Sequence, residues 1–431
     1  MIEIEEYALR RNKVFNLIDD NSVAILFSGV GKKCSADENY KFVPNKNFYY
    51  LTGISQENSI LLLIKNNGEK QTYLFVEEKD EKIEKWTGLR LSLKEAKEIS
   101  GIENVNVRTT FDGKMLAFFA SNKTSQEPIS KFYLDLENEL KIGECKSTNN
   151  YKKELEVTHN LEVKDIHDII MELREVKSEA EIEMIKEAID TTDLGLKSVL
   201  AKLKAGKHEY NLRNEFEFAI AEDQDSKTAF DSIVAAGKNA IILHYPQQKD
   251  VVKEEDLVLF DVGAAKEFYS ADISRTYPVN GKFSGTQKVI YEIVLNCNKQ
   301  TAKFMRPGIT LNEANEFAKN FLAAECFEKG LISSKDEIGK VYYHSVSHHL
   351  GLDTHDGRDR AISKNTKLVS GNVVTCEPGL YFKELGIGVR IEDDILITEE
   401  GSEVLSEGVI KEIEDIEKML KTRLWKNTFF Q

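Results

Sequence analysis

Five side chains that can bind metal ions lie toward the carboxyl end of the chain, each inside a separate apolar strand-like run. They are Asp261, Asp272, His348, Glu377 and Glu392. Four carboxylates and one imidazole cannot all keep their charge in one buried pocket unless cations compensate it. The residue types therefore predict a site for two divalent metal ions.

The first two acids are expected on one β-hairpin. Residues 257–279 form two strand-like runs with alternating side chains and a turn between them. If the turn is centred on Lys266 and Glu267, Asp261 lies directly opposite Asp272 across the ladder. Both carboxylates then share one face of the hairpin.

The other acids lie in two further strand-like runs, residues 372–382 and 386–398. Glu377 precedes a Pro-Gly pair that would end its strand. Arg390 and Glu392 are two residues apart, so both should point to one side, where the guanidinium can hold a carboxylate. An edge strand with a solvated acidic face is the plainer alternative. The apolar residues on both sides of the acids disfavour it.

Histidines are concentrated in the same part of the chain, with four of the eight between His344 and His355. His344 and His348 have the spacing of a helical zinc-protease motif, but the glutamate that this motif needs after its first histidine is missing. His349 is expected to lie on the surface or to have satisfied hydrogen bonds, without a catalytic role. The same expectation holds for three other histidines: His159, His167 and His208.

Ordered motifs give the carboxyl-terminal part of the chain a resemblance to a known family. From about residue 173 it resembles the metallopeptidases with the pita-bread fold, in particular their branch of Xaa-Pro aminopeptidases and prolidases. In chain order, the matching motifs are RxVKSxxEI at 174–182, AIILHY at 240–245, the two-aspartate hairpin ending in RTYPVNGKF at 275–283, SHHLGLDTHD at 347–356, CEPGLY at 376–381 and GVRIEDD at 388–394.

The first part of the chain also has a likeness, since residues 42–53, FVPNKNFYYLTG, are similar to the amino-terminal domain of creatinases, prolidases and Xaa-Pro aminopeptidases. Val43 and Phe230 depart from the family pattern, in which Arg and Tyr are frequent at these positions. The prediction is an α/β creatinase-like domain, residues 1–172, followed by an α+β pita-bread catalytic domain, residues 173–431. Strand-like runs predicted in the first domain include VAILFSG, FYYLTG and SILLLIK.

The resemblance implies a role for each metal-binding side chain. Asp261 would bind one ion, His348 would bind the other, and Asp272 and Glu392 would bridge the two. Glu377 would also take a proton from a metal-bridging water, whose hydroxide attacks the scissile carbonyl. Ligands that are mostly carboxylate favour Mn2+, although the imidazole leaves Co2+ or Zn2+ possible.

The same resemblance implies roles around the substrate. His244 and His355 would flank the scissile carbonyl and handle the proton that the leaving nitrogen needs. Arg390 would orient the acids, and His344 would line a pocket for proline. The expected partner is a peptide with proline in the second position, and the expected assembly is a homodimer.

The activity predicted from these roles is that of an Xaa-Pro aminopeptidase, with an Xaa-Pro dipeptidase (prolidase) as the alternative. A creatinase-like amidinohydrolase without metal and a non-catalytic binding protein are disfavoured, because no ligand position is lost. Comparison of Ala-Pro with Ala-Pro-Ala as substrates would separate the two peptidases.

Composition agrees with a two-domain enzyme of the cytoplasm. A chain of 431 residues exceeds what one hydrophobic core usually fills. The formal charge of −15 argues against nucleic acid as a partner. Neither a signal peptide nor a membrane span is expected, and the five scattered cysteines suggest reduced thiols. Cys376 is expected to serve packing only, because no base is placed to activate it.

Overall fold

The computed structural model describes residues 2–125, 127–136, 146–223 and 225–429. The chain divides into two compact units, Ile2–Leu173 and Arg174–Gln431. Among the described residues, no helix is long and apolar enough to cross a membrane.

The amino-terminal unit contains a mixed sheet with helices packed around it. Its strands lie in the order β4-β3-β2-β1-β5-β6. The central strand, β1, is apolar along nearly its whole length and buried except at its last residue, as expected for a strand covered on both faces. In chain order the elements are α1 Ile4–Leu17, β1 Ser22–Phe27, α2 Lys46–Thr52, β2 Ile60–Asn66, β3 Glu69–Val76, α3 Glu81–Thr87, α4 Leu93–Ser100, β4 Asn104–Val107, α5 Phe111–Asn122, β5 Lys131–Leu134, α6 Lys146–Lys153, β6 Glu162–Asp165 and α7 His167–Glu175.

The prediction that the run FYYLTG forms a strand is wrong, because this run lies in the helix α2 and its carboxyl-terminal cap. The Asn45 side chain accepts a hydrogen bond from the Phe48 amide and caps the helix start. Gly53 ends the helix with a φ of 69°, a left-handed conformation that suits glycine. The helix is buried on all sides, so its apolar run has no helical period and cannot be told from a buried strand by pattern alone.

The carboxyl-terminal unit is α+β, with antiparallel strands and long helices. The helix α8 begins at a capping box in which Ser178 and Glu181 bond each other's backbone amides. The helices are α8 Glu179–Lys202, α9 Glu209–Ile220, α10 Gly285–Phe304, α11 Leu311–Glu328, α12 Arg360–Ser363 and α13 Ile413–Phe429.

The strands of this unit form small antiparallel sheets. Three-stranded sheets have the orders β12-β9-β8, β11-β10-β7 and β13-β16-β17, and β14 pairs with β15. The strands are β7 Ser226–Thr228, β8 Ile233–Ala236, β9 Leu257–Val262, β10 Ala264–Lys266, β11 Tyr269–Ser270, β12 Ile273–Pro278, β13 Val373–Cys376, β14 Gly379–Phe382, β15 Ile387–Arg390, β16 Asp393–Ile397 and β17 Ser402–Val404.

Candidate metal centre

The hairpin that carries the first two acids has a different register from the predicted one. Asp261 in β9 pairs with Ser274 in β12, so the prediction that Asp261 lies directly opposite Asp272 is wrong. The turn is centred one residue further along the chain, on Glu267 and Phe268, whose φ values of 46° and 72° match a type I′ turn. This moves the register by two residues, and an even shift keeps both aspartates on one face.

The acids and His348 lie mainly at strand ends, whereas the sequence predicted them within strands. Of the five, Asp261 alone is in a strand; Asp272 immediately precedes β12 and Glu377 immediately follows β13. Backbone bonds fix the others in place. The Glu392 amide donates to the Ser274 carbonyl at 3.0 Å, and the Glu377 amide donates to the Val346 carbonyl at 2.9 Å.

Three of the predicted ligands converge closely. One ligand atom from each of Asp272, His348 and Glu392 lies within 4.8 Å of the others. His348 Nε2 is 3.4 Å from Asp272 Oδ2 and 3.8 Å from Glu377 Oε1. His348 Nδ1 lies 3.0 Å from the His349 carbonyl oxygen, which can only accept, so Nδ1 carries the proton and Nε2 faces the acids.

Arg390 joins the fourth acid to this group. Its Nη2 donates to Asp261 Oδ2 at 2.6 Å, and its Nε donates to Ser274 Oγ at 2.7 Å. Ser274 Oγ in turn donates to Glu392 Oε2 at 2.7 Å. Arg390 Nη1 donates to the hydroxyl of Tyr381 at 3.1 Å. The sequence predicted the role of Arg390 but not those of Ser274 and Tyr381. Ser274 could have been found from the correct hairpin register, which places it opposite Asp261.

The pKa values of the metal-free site show how strongly these charges conflict. Burial raises the pKa of Asp261 to about 6, although Arg390 acts against this shift. Burial likewise raises the pKa of Glu377 to about 7 and that of Glu392 well above its usual range. For His348, burial lowers the pKa, but the bond to Asp272 and the charge of Glu377 outweigh it and raise the value to about 9. Protons therefore compensate the acids where cations are absent, and oxygen donors with one imidazole suit a divalent ion.

The other predicted histidines surround the same acids. His344 Nε2 is 2.8 Å from the Tyr381 hydroxyl, and its Nδ1 is 3.5 Å from Glu377 Oε2. The His355 ring lies edge-on to the His348 ring, with 4.4 Å between centroids. His244 is exposed, and its charge acts on both Asp261 and His355. Residues 344–348 form no helix, in agreement with rejection of a helical zinc motif.

His349 differs from its prediction. It is 3% exposed, and its Nδ1 has no hydrogen-bond partner among the described residues. The other three histidines predicted to have no role have ordinary contacts: His159 stacks on Phe119, His167 is hydrogen-bonded to Asp135, and His208 is hydrogen-bonded to the Lys249 carbonyl. Cys376 is fully buried, and burial raises the pKa of its thiol well above the usual value, as a packing role requires.

The two departures from the family pattern lie in different units. Phe230 packs against the backbone next to the aspartate hairpin, and its Cε1 would lie 3.0 Å from a Cβ atom added at Gly263. Val43, in the amino-terminal unit, is 49% exposed.

Buried carboxylates at the ends of antiparallel strands, with an imidazole whose Nε2 faces them, are the kind of donor set that metal-dependent hydrolases use. Two sequence families match the chain: metallopeptidase family M24 over residues 183–399, and the aminopeptidase P N-terminal domain over residues 7–126. The chain belongs to metallopeptidase family M24, in the group that carries an aminopeptidase P N-terminal domain. The predicted family is confirmed.

Curated relatives match over nearly the whole chain. The Xaa-Pro aminopeptidase of Haemophilus influenzae is 31% identical and covers 96% of this chain and 97% of its own length. The Escherichia coli Xaa-Pro aminopeptidase is 29% identical over 97% of this chain and 98% of its own length.

Solved structures confirm the predicted fold. E. coli aminopeptidase P with the inhibitor Pro-Leu superimposes with a TM-score of 0.87 at 28% identity, covering 98% of this chain and 99% of its own. A Bacillus anthracis protein provisionally assigned as an aminopeptidase P gives a TM-score of 0.93 at 42% identity, with 98% and 99% coverage.

Proposed function

We propose that this protein is a metal-dependent Xaa-Pro aminopeptidase that releases the first residue from peptides with proline in the second position. The observation that carries the proposal is the convergence of Asp272, His348 and Glu392, with Glu377 beside them, in a chain whose full-length relatives have this activity. The proposal assigns residues 1–172 to the amino-terminal domain and residues 173–431 to the catalytic domain.

The proposed centre holds two divalent ions, with Mn2+ as the first candidate. Asp261, Asp272, His348, Glu377 and Glu392 would bind them. Bound cations would supply Lewis acidity and make a hydrolytic water acidic enough to react at neutral pH. The oxygen-rich donor set supports Mn2+ over an ion that prefers thiolates.

Protein groups would then move the protons and orient the substrate. Glu377, whose pKa is raised to about 7 in the metal-free protein, is placed to accept a proton from the attacking water. His355 and His244 would donate hydrogen bonds where negative charge develops on the scissile oxygen and return a proton to the proline nitrogen. Arg390 would keep Asp261 and, through Ser274, Glu392 in position.

A pocket for proline is proposed beside His344. The Nε2 atom of His344 is held by the Tyr381 hydroxyl, and Tyr343 packs on the Tyr381 ring with 5.1 Å between centroids. Rigid aromatic walls suit a pyrrolidine ring, which has no N–H to offer when it forms the scissile amide.

We also propose that the protein forms a homodimer, on the family resemblance. We propose a cytoplasmic location because the cysteines of the described residues are free thiols: Cys34, Cys297, Cys326 and Cys376. Sedimentation at several concentrations tests the dimer.

The activity is tested with Ala-Pro-Ala, Ala-Pro and Ala-Ala-Ala, each with the metal-stripped protein and after addition of Mn2+. We expect release of alanine from Ala-Pro-Ala only with metal, and little from Ala-Ala-Ala. Cleavage confined to Ala-Pro would contradict the aminopeptidase and favour the dipeptidase. The variant His348→Ala should lose Mn2+ binding and activity, whereas His208→Ala, away from the acids, should keep both.

A further inference from the structure

One sequence motif has no part in the proposed chemistry, namely RxVKSxxEI at 174–182. Two of its residues, Arg174 and Lys177, reach a buried carboxylate on the histidine-rich loop. Arg174 Nη2 is 2.7 Å from Asp356 Oδ1, and Lys177 Nζ is 3.3 Å from Asp356 Oδ2. The side chain of Arg174 is 3% exposed, and those of Lys177 and Asp356 are each 1% exposed. We call these three residues the buried clamp.

The ion pairs of the clamp hold Asp356, the last residue of a closed loop that spans residues 349–356. The Asp356 amide donates to the His349 carbonyl at 2.9 Å, which pins the two ends of the loop together. The loop also docks on the aspartate hairpin, because the Ser270 amide donates to the Gly351 carbonyl at 2.8 Å. A Cβ atom at Gly351 would lie 2.2 Å from Asp356 Oδ2, so the carboxylate fills the loop without spare room.

Both ends of this loop carry imidazoles of the metal centre. His348 precedes it and donates its Nδ1 proton to the same His349 carbonyl that accepts from Asp356. His355 immediately precedes Asp356, and its ring contacts that of His348. A displacement of Asp356 would therefore move His355 directly and weaken the bond that fixes the tautomer of His348.

Charge balance keeps Asp356 ionised in this place. Burial by itself raises the pKa of its carboxyl, but the charges of Arg174 and Lys177 outweigh this effect and lower the pKa below its usual value. A buried carboxylate between two cations holds its geometry firmly, because loss of the Asp356 charge would leave Arg174 and Lys177 together in the interior without their shared anion.

We propose that the buried clamp is a positioning device that sets the orientation of His348 and His355. None of its residues is among the proposed metal donors or substrate-binding residues, so they would act through the loop. The inference about His355 rests on the proposed function, whereas the inference about His348 rests only on its place among the metal donors.

The test compares Asp356→Asn with Asp353→Asn. Asp353 lies in the same loop and pairs with the same Arg174 nitrogen at 2.6 Å, but it is 44% exposed and its amide does not bond the His349 carbonyl. For Asp356→Asn we expect Mn2+ affinity, measured by calorimetric titration, to fall about tenfold, and kcat to fall about 10- to 100-fold with a smaller change in KM. Asp353→Asn should stay within about twofold of the unmodified protein in all three.

Thermal unfolding separates positioning from general damage. If the clamp served stability alone, Asp356→Asn would unfold at a lower temperature yet bind Mn2+ and turn over substrate normally below it. That result would overturn the proposal. If Asp356→Asn does not fold, Lys177→Met carries the test, since it keeps the Arg174–Asp356 pair. A loss of about tenfold in Mn2+ affinity supports the clamp, and unchanged affinity and kcat overturn it.

The metal titration needs no turnover. A protein that fails to cleave Xaa-Pro peptides would refute the proposed function, while the Mn2+ affinities of the two asparagine variants would still decide whether the clamp positions His348.

Discussion

Ser274 is the residue that connects the two sides of the acid cluster. Its hydroxyl accepts from Arg390 and donates to Glu392, both at 2.7 Å, and the side chain is fully buried. Arg390 simultaneously holds Asp261. One hydroxyl therefore transmits the position of a guanidinium to Glu392, which is itself one of the candidate metal donors.

The substitution Ser274→Ala should weaken this connection. It leaves a buried N–H of Arg390 and one oxygen of Glu392 without their partner, which costs about 1–3 kcal/mol in the free energy of unfolding. We also expect weaker Mn2+ binding, by about tenfold, because Glu392 loses a bond that orients it. Urea unfolding and metal titration measure the two effects. Ser121→Ala, at an exposed serine of α5, is the control and should change neither.

At the scale of single residues, the residue types predicted the metal donors but not the residues that hydrogen-bond to them or to Arg390. Carboxylates and imidazoles can be recognised in a sequence as candidate metal donors. Ser274 and Tyr381 cannot be distinguished from other strand residues until the register is known. His349 shows that the environment of a histidine is also not predictable from its residue type. It adjoins a predicted ligand, yet it is buried with an unpaired Nδ1, and its pKa is lowered by burial and acted on by the charges of Lys177 and Glu175, which are far away along the chain.

At the scale of elements, the aspartate hairpin is the part of the fold that most directly sets the site. Gly263 follows Asp261 by two residues and lies at the crossing from β9 to β10. A Cβ atom there would lie 1.9 Å from the Ala271 carbonyl oxygen. The close approach of the two backbones therefore requires glycine at this point.

Gly263→Ala should separate the two arms of the hairpin on which Asp261 and Asp272 lie. The clash is with backbone, so no side chain can move to relieve it, and we expect a loss of more than about 3 kcal/mol in the free energy of unfolding. Mn2+ affinity should fall in any protein that still folds. Gly285→Ala is the matched control, since nothing lies within 4 Å of the added atom at the start of α10. Equal stability of the two variants would contradict this account.

The hairpin also shows why sequence gave the correct face but the wrong register. Alternation along β9 and β12 fixes which side chains share a face, and it predicted that Asp261 and Asp272 would do so. The turn decides the pairing, and Glu267 and Phe268 adopt positive φ without the glycine or asparagine that usually marks such a turn. In α2, burial on all sides similarly removed the period that distinguishes a helix from a strand.

For the whole molecule, order of motifs was more informative than any single element. Motifs spread from residue 174 to residue 394 predicted the family and the fold, and both are confirmed. The metal-free protein should nevertheless behave differently from the metal-loaded one, because the acid cluster is stabilised by protons in one state and by cations in the other.

Metal-free protein should lose stability as the pH rises from 6.5 to 8.5. The pKa of Glu377 is raised from 4.5 to about 7 and that of His348 from 6.5 to about 9, so the folded state binds both protons more tightly than the unfolded chain. Their contribution is complete at low pH and is lost as the pH rises through about 7 and then about 9. The loss is on the order of 1–3 kcal/mol.

Thermal unfolding at several pH values, with chelator or with Mn2+, checks this prediction. Added Mn2+ should flatten the profile, because the cation replaces the protons. Glu377→Gln should flatten the metal-free profile around pH 7, since the amide does not titrate. A metal-free unfolding temperature that rises with pH across this window would refute the electrostatic account.

The donors of the centre come from segments that are distant along the chain and adjacent only in the finished unit. Contacts between such distant segments are slow to form, since long loops must close first. We therefore expect all of the donors to come together only late in folding. In a refolding reaction, the moment at which the protein first captures Mn2+ tightly would time the last step of assembly, and the cation would serve as a kinetic reporter that needs no added label.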